Sequence, residues 1–358
     1  MKLKTRNRIK RLVEKLGEKD IEGIFISRPE NRRYLSGFNG SAGFLFITAN
    51  DSILATDSRY TFQAQNQAPN YKLFTISGDM SQWFPKLIDE LGIKRLGFEA
   101  EHTAFAQHQR LCDILNKGKS GLKLIPTDNV VEWLRAFKEP KEIELITKAA
   151  GLADTAMGHA QRKLRVGMTE LEVAWEIEKF MREQGSQPIP FEIIVGSGPN
   201  AALPHSLPTE RAIGEAEPIV VDIGARIEGY GSDLSRTFCL GAADETFRKV
   251  YNTALGARDT AMAIIKEGMS GGEADQIART VIDEGGYGPN FGHGLGHGVG
   301  LAPHELPRLG PSSTDRLSDS MVFTVEPGIY IEGWGGVRIE DMVVMEGGKI
   351  RKISQAEN

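Results

Sequence analysis

The segment 218–238, PIVVDIGARIEGYGSDLSRTF, decides the architecture of the second part of the chain. An apolar strand pattern reaches Asp222, a turn containing Gly229 and Gly231 follows, and Asp233 is expected on the return strand. Two carboxylates brought together in this way repel each other, and their burial is costly unless a cation lies between them. The hairpin therefore indicates a site for a divalent metal, although two solvated aspartates in a polar turn give the same pattern.

The segment 321–342, MVFTVEPGIYIEGWGGVRIEDM, repeats this arrangement. Glu326 follows an apolar run, 104 residues after Asp222, and Glu340 is expected on the next strand, 107 residues after Asp233. Surface glutamates at strand ends would look similar in isolation. The matching order of the two segments favours one site that receives four carboxylates.

Each of these segments is preceded by a helix whose first turn has the pattern of a capping box. Thr169 with Glu172 begins one helix, and Ser270 with Glu273 begins the other, 101 residues later. Two copies of helix, helix and hairpin predict an α+β domain with internal pseudo-two-fold symmetry.

Residues 291–300, FGHGLGHGVG, alternate glycine with other residues and contain His293 and His297, with His304 shortly after them. So many glycines are typical of a backbone that passes close to other atoms or adopts unusual dihedral angles. The stretch has neither the G-x-G-x-x-G register nor the G-K-[ST] ending of a nucleotide-binding loop. Three histidines beside four candidate carboxylates favour a functional site over purely structural histidines.

The first part of the chain mixes helical and strand patterns. Residues 6–16 predict an amphipathic helix, and three apolar runs predict strands at 23–27, 43–48 and 52–56. The last two runs are expected to pair across a turn at Asn50. This mixture indicates an α/β or α+β domain.

A domain boundary is expected near residue 130. The chain has 358 residues, which exceeds the length at which a single core usually stops growing. Pro140 disfavours a helix that continues through it, and a new helical stripe begins at Ile143. We therefore predict two domains, residues 1–130 and 131–358.

Composition and charge exclude several classes of protein. A net charge of −5 gives no sign of a nucleic-acid surface. No apolar run approaches the roughly 20 residues that span a bilayer, and the basic start, MKLKTRNRIKRL, is not followed by the apolar region of a secretory signal. Cys112 and Cys239 are isolated, so neither a disulfide framework nor a zinc cluster is expected. These features predict a cytoplasmic protein that binds neither nucleic acid nor membrane.

Five separated motifs resemble those of the pita-bread metallopeptidases, the family of methionine aminopeptidase, Xaa-Pro aminopeptidase and prolidase. The motifs are VVDIGA, SDLSRTF, GHGLGHGVGL-x-x-HE, TVEPGIY and VRIEDM, and they cover about residues 135–350. NRRYLSGFNGSAG at 31–43 and TDSRYTFQAQNQ at 56–67 resemble the creatinase/prolidase N-terminal domain. The resemblance implies an α+β pita-bread catalytic domain with an internal pseudo-two-fold duplication, preceded by a smaller α/β creatinase/prolidase N-terminal domain.

The resemblance also implies roles for individual residues. Five residues would bind two divalent metal ions: Asp222, Asp233, His297, Glu326 and Glu340. The carboxylates of Asp233 and Glu340 would bridge the two ions. The implied catalytic residues are His205, His293, His304, Glu326 and Arg338. Four oxygen ligands and one imidazole suit manganese or cobalt better than a soft-ligand zinc site. The resemblance likewise implies manganese, with cobalt and zinc as alternatives.

The implied function is that of an Xaa-Pro aminopeptidase, which hydrolyses the bond between an N-terminal residue and a penultimate proline. The alternative is prolidase, an Xaa-Pro dipeptidase restricted to dipeptides. Methionine aminopeptidases generally lack the N-terminal domain, whereas creatinases and non-catalytic peptide-binding descendants lack the metal ligands, so these three readings are disfavoured. The expected partners are peptides with proline at position two and a second copy of the chain in a homodimer.

Overall fold

The computed structural model describes residues 2–118 and 121–357, with side chains from Arg6 onward. The chain divides into two units, one up to Arg135 and the other from Ala136 onward.

A mixed sheet of six strands forms the centre of the described part of the first unit. The strands are β1 (Gly23–Ile26), β2 (Phe44–Thr48), β3 (Ser52–Thr56), β4 (Lys72–Thr75), β5 (Arg95–Glu99) and β6 (Lys123–Thr127). Their order is β4-β3-β2-β1-β5-β6, in which β1, β2 and β3 are antiparallel neighbours and the outer pairings are parallel. The helices are α1 (Lys2–Gly17), α2 (Pro29–Ser36), α3 (Thr61–Gln67), α4 (Met80–Leu91), α5 (Phe105–Gly118) and α6 (Val130–Ala136).

Aromatic side chains fill the core of this unit. Phe25 and Phe46 from the sheet pack against Trp83 and Phe84 of α4, with ring centroids 5.2 to 6.4 Å apart. Rings at these separations in tilted or edge-on arrangements stabilise a core beyond the apolar area that they bury. The predicted helix at 6–16 and the three predicted strands are confirmed as α1 and β1 to β3.

The second unit contains helices and antiparallel strands in two similar sets. The helices are α7 (Pro140–Lys163), α8 (Glu170–Glu183), α9 (Glu245–Ile264) and α10 (Gly271–Glu284). The strands of the first set are β7 (Ile194–Ser197), β8 (Pro218–Ile223), β9 (Arg226–Ile227), β10 (Tyr230–Gly231) and β11 (Leu234–Cys239). Those of the second set are β12 (Gly296–Gly298), β13 (Glu305–Leu309), β14 (Val322–Val325), β15 (Gly328–Ile331), β16 (Gly335–Arg338), β17 (Asp341–Glu346) and β18 (Lys349–Lys352).

The predicted duplication is confirmed by the order of these elements. One half runs through α7, α8 and the sheet β11-β8-β7, and the other through α9, α10 and the sheet β13-β12-β14-β17-β18. Both predicted capping boxes form: the hydroxyls of Thr169 and Ser270 each accept the N–H of the glutamate three residues later. Pro140 occupies the first turn of α7, where its missing N–H costs nothing.

Two of the predicted ligand positions differ from the sequence interpretation. Asp233 immediately precedes β11, and Glu340 lies between β16 and β17, so neither is within a strand. Apolar strand patterns adjoin each of these acids in the sequence. The pattern alone therefore does not show at which residue the strand begins. Both carboxylates still occupy equivalent positions in the two halves.

Candidate metal centre and active site

Three carboxylates converge where the two halves of the second unit meet. Asp222 lies on β8, and one of its carboxylate oxygens lies within 4.8 Å of oxygens from Asp233 and Glu340. Ser235 links these residues: it pairs with Asp222 across the sheet, and its carbonyl accepts the Glu340 N–H at 3.1 Å. The Ser235 hydroxyl also donates to Glu340 Oε2 at 2.9 Å. The sheet register therefore places acids from both halves together.

These acids are buried without enough hydrogen bonds. Asp222 Oδ1 and Glu340 Oε1 are buried oxygens with no partner among the residues that the structure describes. Burial, and next the negative charge of neighbouring carboxylates, hold the pKa values of Asp233 and Glu340 well above the usual range. Burial also raises the pKa of Asp222, against the opposing charge of Arg338. Buried carboxylates are normally paired or coordinate a metal, so this donor set fits a divalent cation.

His297 and Glu326 complete the cluster. The Nε2 atom of His297 lies 3.2 Å from Glu326 Oε1 and 3.7 Å from Asp233 Oδ2. Its Nδ1 atom lies 3.1 Å from the carbonyl oxygen of Gly298, which fixes the ring with Nε2 towards the acids. Burial disfavours the charge on both groups. Their mutual hydrogen bond and attraction outweigh it, raising the pKa of His297 and lowering that of Glu326 to about 2. All five predicted ligand side chains therefore lie around one position.

The glycine-rich strand β12 presents His297 to this position. A Cβ atom at Gly296 would overlap the carbonyl oxygen of Thr324, and one at Gly298 would overlap that of Leu306. The strand lies between β13 and β14, which leaves no space for larger residues. The prediction that this backbone passes close to other atoms is confirmed at both glycines.

Arg338 connects the acids to His293. Its Nη2 atom donates to Asp222 Oδ2 at 2.6 Å, and its Nη1 atom donates to the Tyr330 hydroxyl at 2.9 Å. The Tyr330 oxygen lies 3.0 Å from His293 Nε2, and His293 Nδ1 lies 2.8 Å from the Gly294 carbonyl oxygen. Burial lowers the pKa of His293, which favours a neutral ring whose Nε2 atom accepts the hydrogen bond of the Tyr330 hydroxyl. The chain of hydrogen bonds therefore holds Arg338 and His293 in fixed orientations.

A cavity of about 370 Å³ opens onto the cluster. The predicted residues His205, His293, His304 and Arg338 line its wall together with four of the five candidate ligands. The fifth, Glu340, lies behind the wall and is fully buried. The predicted site residues are thus brought together at one cavity.

Several residues of the cavity did not emerge from the sequence. The wall also includes four apolar residues and one acid that are close to His205 in the sequence: Phe191, Glu192, Ile194, Pro204 and Leu207. Tyr330 was quoted only as part of a motif, and no role was predicted for it or for Ser235. The apolar segment 188–198, PIPFEIIVGSG, which precedes the hairpin of Asp222 and Asp233, is the signal that could have indicated the apolar wall.

Comparison with known proteins agrees with this geometry. Metallopeptidase family M24 matches residues 144–346, and the creatinase/prolidase N-terminal domain matches residues 8–137. The structure of an Xaa-Pro dipeptidase from Bacillus anthracis superposes with a TM-score of 0.95 at 38% identity, covering 99% of this chain and 98% of that one. The Xaa-Pro dipeptidase of Pyrococcus furiosus is 34% identical over 98% of this chain and 99% of its own length. An X-Pro aminopeptidase structure from Thermotoga maritima has a TM-score of 0.86 at 34% identity, with 98% of each chain covered.

The fold and site therefore define a two-domain hydrolase of the pita-bread type. The chain belongs to metallopeptidase family M24 and carries a creatinase/prolidase N-terminal domain. Membership of this family implies that the protein works with divalent metal ions. The resemblance predicted from the motifs is confirmed.

Across residues 2–118 and 121–357, the structure has no helix that is both long and apolar enough to cross a membrane.

Metal binding is expected to stabilise the fold. Ionised Asp222, Asp233 and Glu340 would repel one another in the metal-free protein, and a bound cation would remove this repulsion. A ligand that binds only the folded state, present at 100 times its Kd, adds about 2.7 kcal/mol to the free energy of unfolding. Adding Mn²⁺ to chelator-treated protein should therefore raise the Tm by several degrees in differential scanning fluorimetry. The Asp233→Asn variant, which keeps the side-chain shape, should gain much less. An equal rise in the variant would contradict the site.

Proposed function

We propose that this chain is an Xaa-Pro dipeptidase, a prolidase that releases proline from a dipeptide. The observation that carries the proposal is one cavity that combines the metal-binding cluster with an apolar wall formed by Phe191, Ile194 and Leu207. Its volume of about 370 Å³ is near the lower end of the range for ligand pockets, about 300–1,000 Å³. A small cavity of this composition supports a short and partly apolar peptide as substrate.

Two divalent cations are proposed to bind the five candidate ligands. Manganese is the proposed metal, with cobalt or zinc as alternatives, because four of the ligands are carboxylates and one is an imidazole. When bound, the ions supply the Lewis acidity that lowers the pKa of the attacking water and polarises the scissile carbonyl.

Glu326 is the proposed proton carrier. Burial opposes its ionisation, but the hydrogen bond and the charge of His297 hold its pKa at about 2, so it carries a negative charge at neutral pH. It can accept the proton of the attacking water and pass it to the proline nitrogen, which has no hydrogen of its own in the peptide bond. Thr324 Oγ1 donates to Glu326 Oε1 at 3.0 Å and orients this carboxylate.

His205 and His304 are the proposed donors to the substrate carbonyl. Burial, and next the neighbouring charge of His297, lower the pKa of His304 to about 4, so its ring is neutral near pH 7 and keeps one N–H. Both histidines line the cavity. A preorganised N–H near the carbonyl oxygen stabilises the negative charge that develops there in the transition state.

The relatives favour dipeptidase over the aminopeptidase that the sequence alone predicted. Two of the relatives described above are named Xaa-Pro dipeptidases and support the alternative reading. Aminopeptidase activity is the second candidate, because the similar Thermotoga maritima structure is described as an X-Pro aminopeptidase. The two activities differ in whether a residue beyond the proline is tolerated.

Matched substrates separate the two candidates. With Mn²⁺ present, Arg-Pro should be hydrolysed and Arg-Pro-Pro should not, as followed by chromatographic release of arginine. Arg-Ala and N-acetylated Arg-Pro serve as controls for the proline and for the free amine. Comparable turnover of Arg-Pro and Arg-Pro-Pro would establish the aminopeptidase instead, and inertness towards both would refute an Xaa-Pro peptidase of either kind.

The His205→Ala variant should lose turnover while it retains metal. Removing a hydrogen-bond donor to the transition state lowers kcat by about 10²–10³-fold in well-studied hydrolases. His205 is not among the candidate ligands, so the metal content measured by inductively coupled plasma mass spectrometry should equal that of the wild type. Loss of metal from the variant would show that His205 has a different role.

A further inference from the structure

A buried ion pair includes the residue that follows His304 and is not part of the proposed chemistry. Lys138 Nζ is 3.2 Å from Glu305 Oε2, and the two side chains are only 1% and 4% exposed. Burying two charges is expensive even when they are paired, and apolar residues of similar size often serve stability equally well. The pair is therefore a candidate for a role beyond stability.

Glu305 is attached directly to a residue of the site. His304 is the last residue of the loop between β12 and β13, and Glu305 is the first residue of β13. The second oxygen of Glu305, Oε1, accepts the N–H of Ala302 at 2.9 Å, so one carboxylate fixes both ends of the short segment that contains His304. A Cβ atom at Gly300 would lie 2.6 Å from Glu305 Oε2, which shows how closely the loop wraps around this carboxylate.

Lys138 is itself held by the backbone of the second unit. Its N–H donates to the carbonyl oxygen of Ser320 at 3.0 Å, and Phe137 forms an isolated bridge with Met321. The ammonium group is thus presented to Glu305 from a fixed segment. At the other end of the segment, the His304 ring lies 4.1 Å from the His297 ring, centroid to centroid, so the loop holds His304 beside a candidate metal ligand.

We propose that Lys138 and Glu305 are positioning residues, which act through the 300–305 segment to hold His304 at the substrate carbonyl. This inference rests on the proposed function, because it assigns His304 a role in hydrolysis. Neither residue is among those that line the cavity. Glu305 also pairs with Gly298, the residue after His297, so the test has to show that the effect passes through His304.

A double-mutant cycle on kcat tests this proposal with the full-length protein and Mn²⁺. Lys138→Met should lower kcat on Arg-Pro by about 10–100-fold, as expected for a misplaced catalytic group, with a much smaller change in KM. In the His304→Ala background the same substitution should have almost no further effect. Glu305→Gln should behave like Lys138→Met, and Lys138→Arg, which keeps the charge, should recover most of the activity.

Two controls separate positioning from loss of stability. Lys141→Met removes an exposed lysine from the first turn of α7, three residues after Lys138, and should leave kcat unchanged. Val173→Ala weakens a buried core position away from the cavity lining and should lower the Tm without lowering kcat. Effects of Lys138→Met that multiply with those of His304→Ala, or an unchanged kcat, would overturn the proposal.

Histidine-selective NMR of the metal-free protein gives a test that does not require activity. The His304 resonances should shift in Lys138→Met and in Glu305→Gln. The resonances of His159 on α7, which pairs with Glu176 on α8, should not shift. Unshifted His304 resonances in both variants would overturn the proposal even if turnover falls. An inert wild type with shifted His304 resonances would refute the proposed hydrolysis and leave the positioning intact.

Discussion

Glu326→Gln should lower kcat on Xaa-Pro dipeptides by about 10²–10⁴-fold, the contribution expected of a general acid–base. The substitution keeps the size of the side chain and an oxygen that can accept from Thr324 and His297, so the fold should persist. It removes the negative charge that is proposed to accept the proton of the attacking water. Because Glu326 is also a candidate metal ligand, the assay uses saturating Mn²⁺, and the loss should then appear mainly in kcat, with the far-ultraviolet circular dichroism unchanged.

A matched variant sets the baseline for this result. Glu332 lies six residues further along, in the exposed turn between β15 and β16, and Glu332→Gln should retain wild-type kinetics. If Glu326→Gln also retained wild-type kcat, proton transfer would have to be assigned to another group.

His297→Ala should lower kcat/KM by more than about 100-fold, because even residues that only orient a metal ligand contribute 10–100-fold. The ring contributes the single nitrogen donor of the cluster and contacts Glu326 and Asp233. Its removal should leave less than the wild-type amount of Mn²⁺ bound at a given free concentration, which isothermal titration calorimetry measures directly.

His159 provides the control for this substitution. It pairs with Glu176 and stacks on Phe180 outside the cavity, so His159→Ala should keep the activity and the metal affinity. Wild-type turnover by His297→Ala would refute the assignment of His297 as a ligand.

Much of the second unit could be predicted from the sequence because its candidate ligands lie in short, recognisable motifs. The acids at Asp222 and Glu326 follow apolar runs, and the repeated capping boxes mark the two halves. A buried strand that carries a carboxylate is conspicuous, since such a group needs a partner. Alternating glycines around His297 are equally conspicuous, because few other structures require them.

The contacts between the two halves could not be read in this way. The hydrogen bond from Arg338 to Asp222 depends on how β16 meets β8, which no local pattern specifies. The ion pair of Lys138 with Glu305 joins residues that are far apart in sequence, and no pattern in the sequence indicated it. Pairings of this kind are decided by tertiary packing.

Substrate length is the part of the function that the motifs do not encode. Dipeptidases and aminopeptidases of this kind share the metal ligands, so the ligand motifs favoured neither activity on physical grounds. The apolar wall near Phe191 and Leu207 is proposed to limit the space around the substrate. It is formed by the segments before and after β7, which only the fold places beside the hairpins of the candidate ligands.

Side chains from both halves of the second unit are proposed to surround a pair of cations. An anomalous-difference map from crystals soaked in Mn²⁺, recorded at the manganese absorption edge, shows bound manganese directly. Two peaks are expected among the carboxylates of Asp222, Asp233, Glu326 and Glu340 and the imidazole of His297. A map with no peak at this position, in crystals whose cavity is open to solvent, would contradict it.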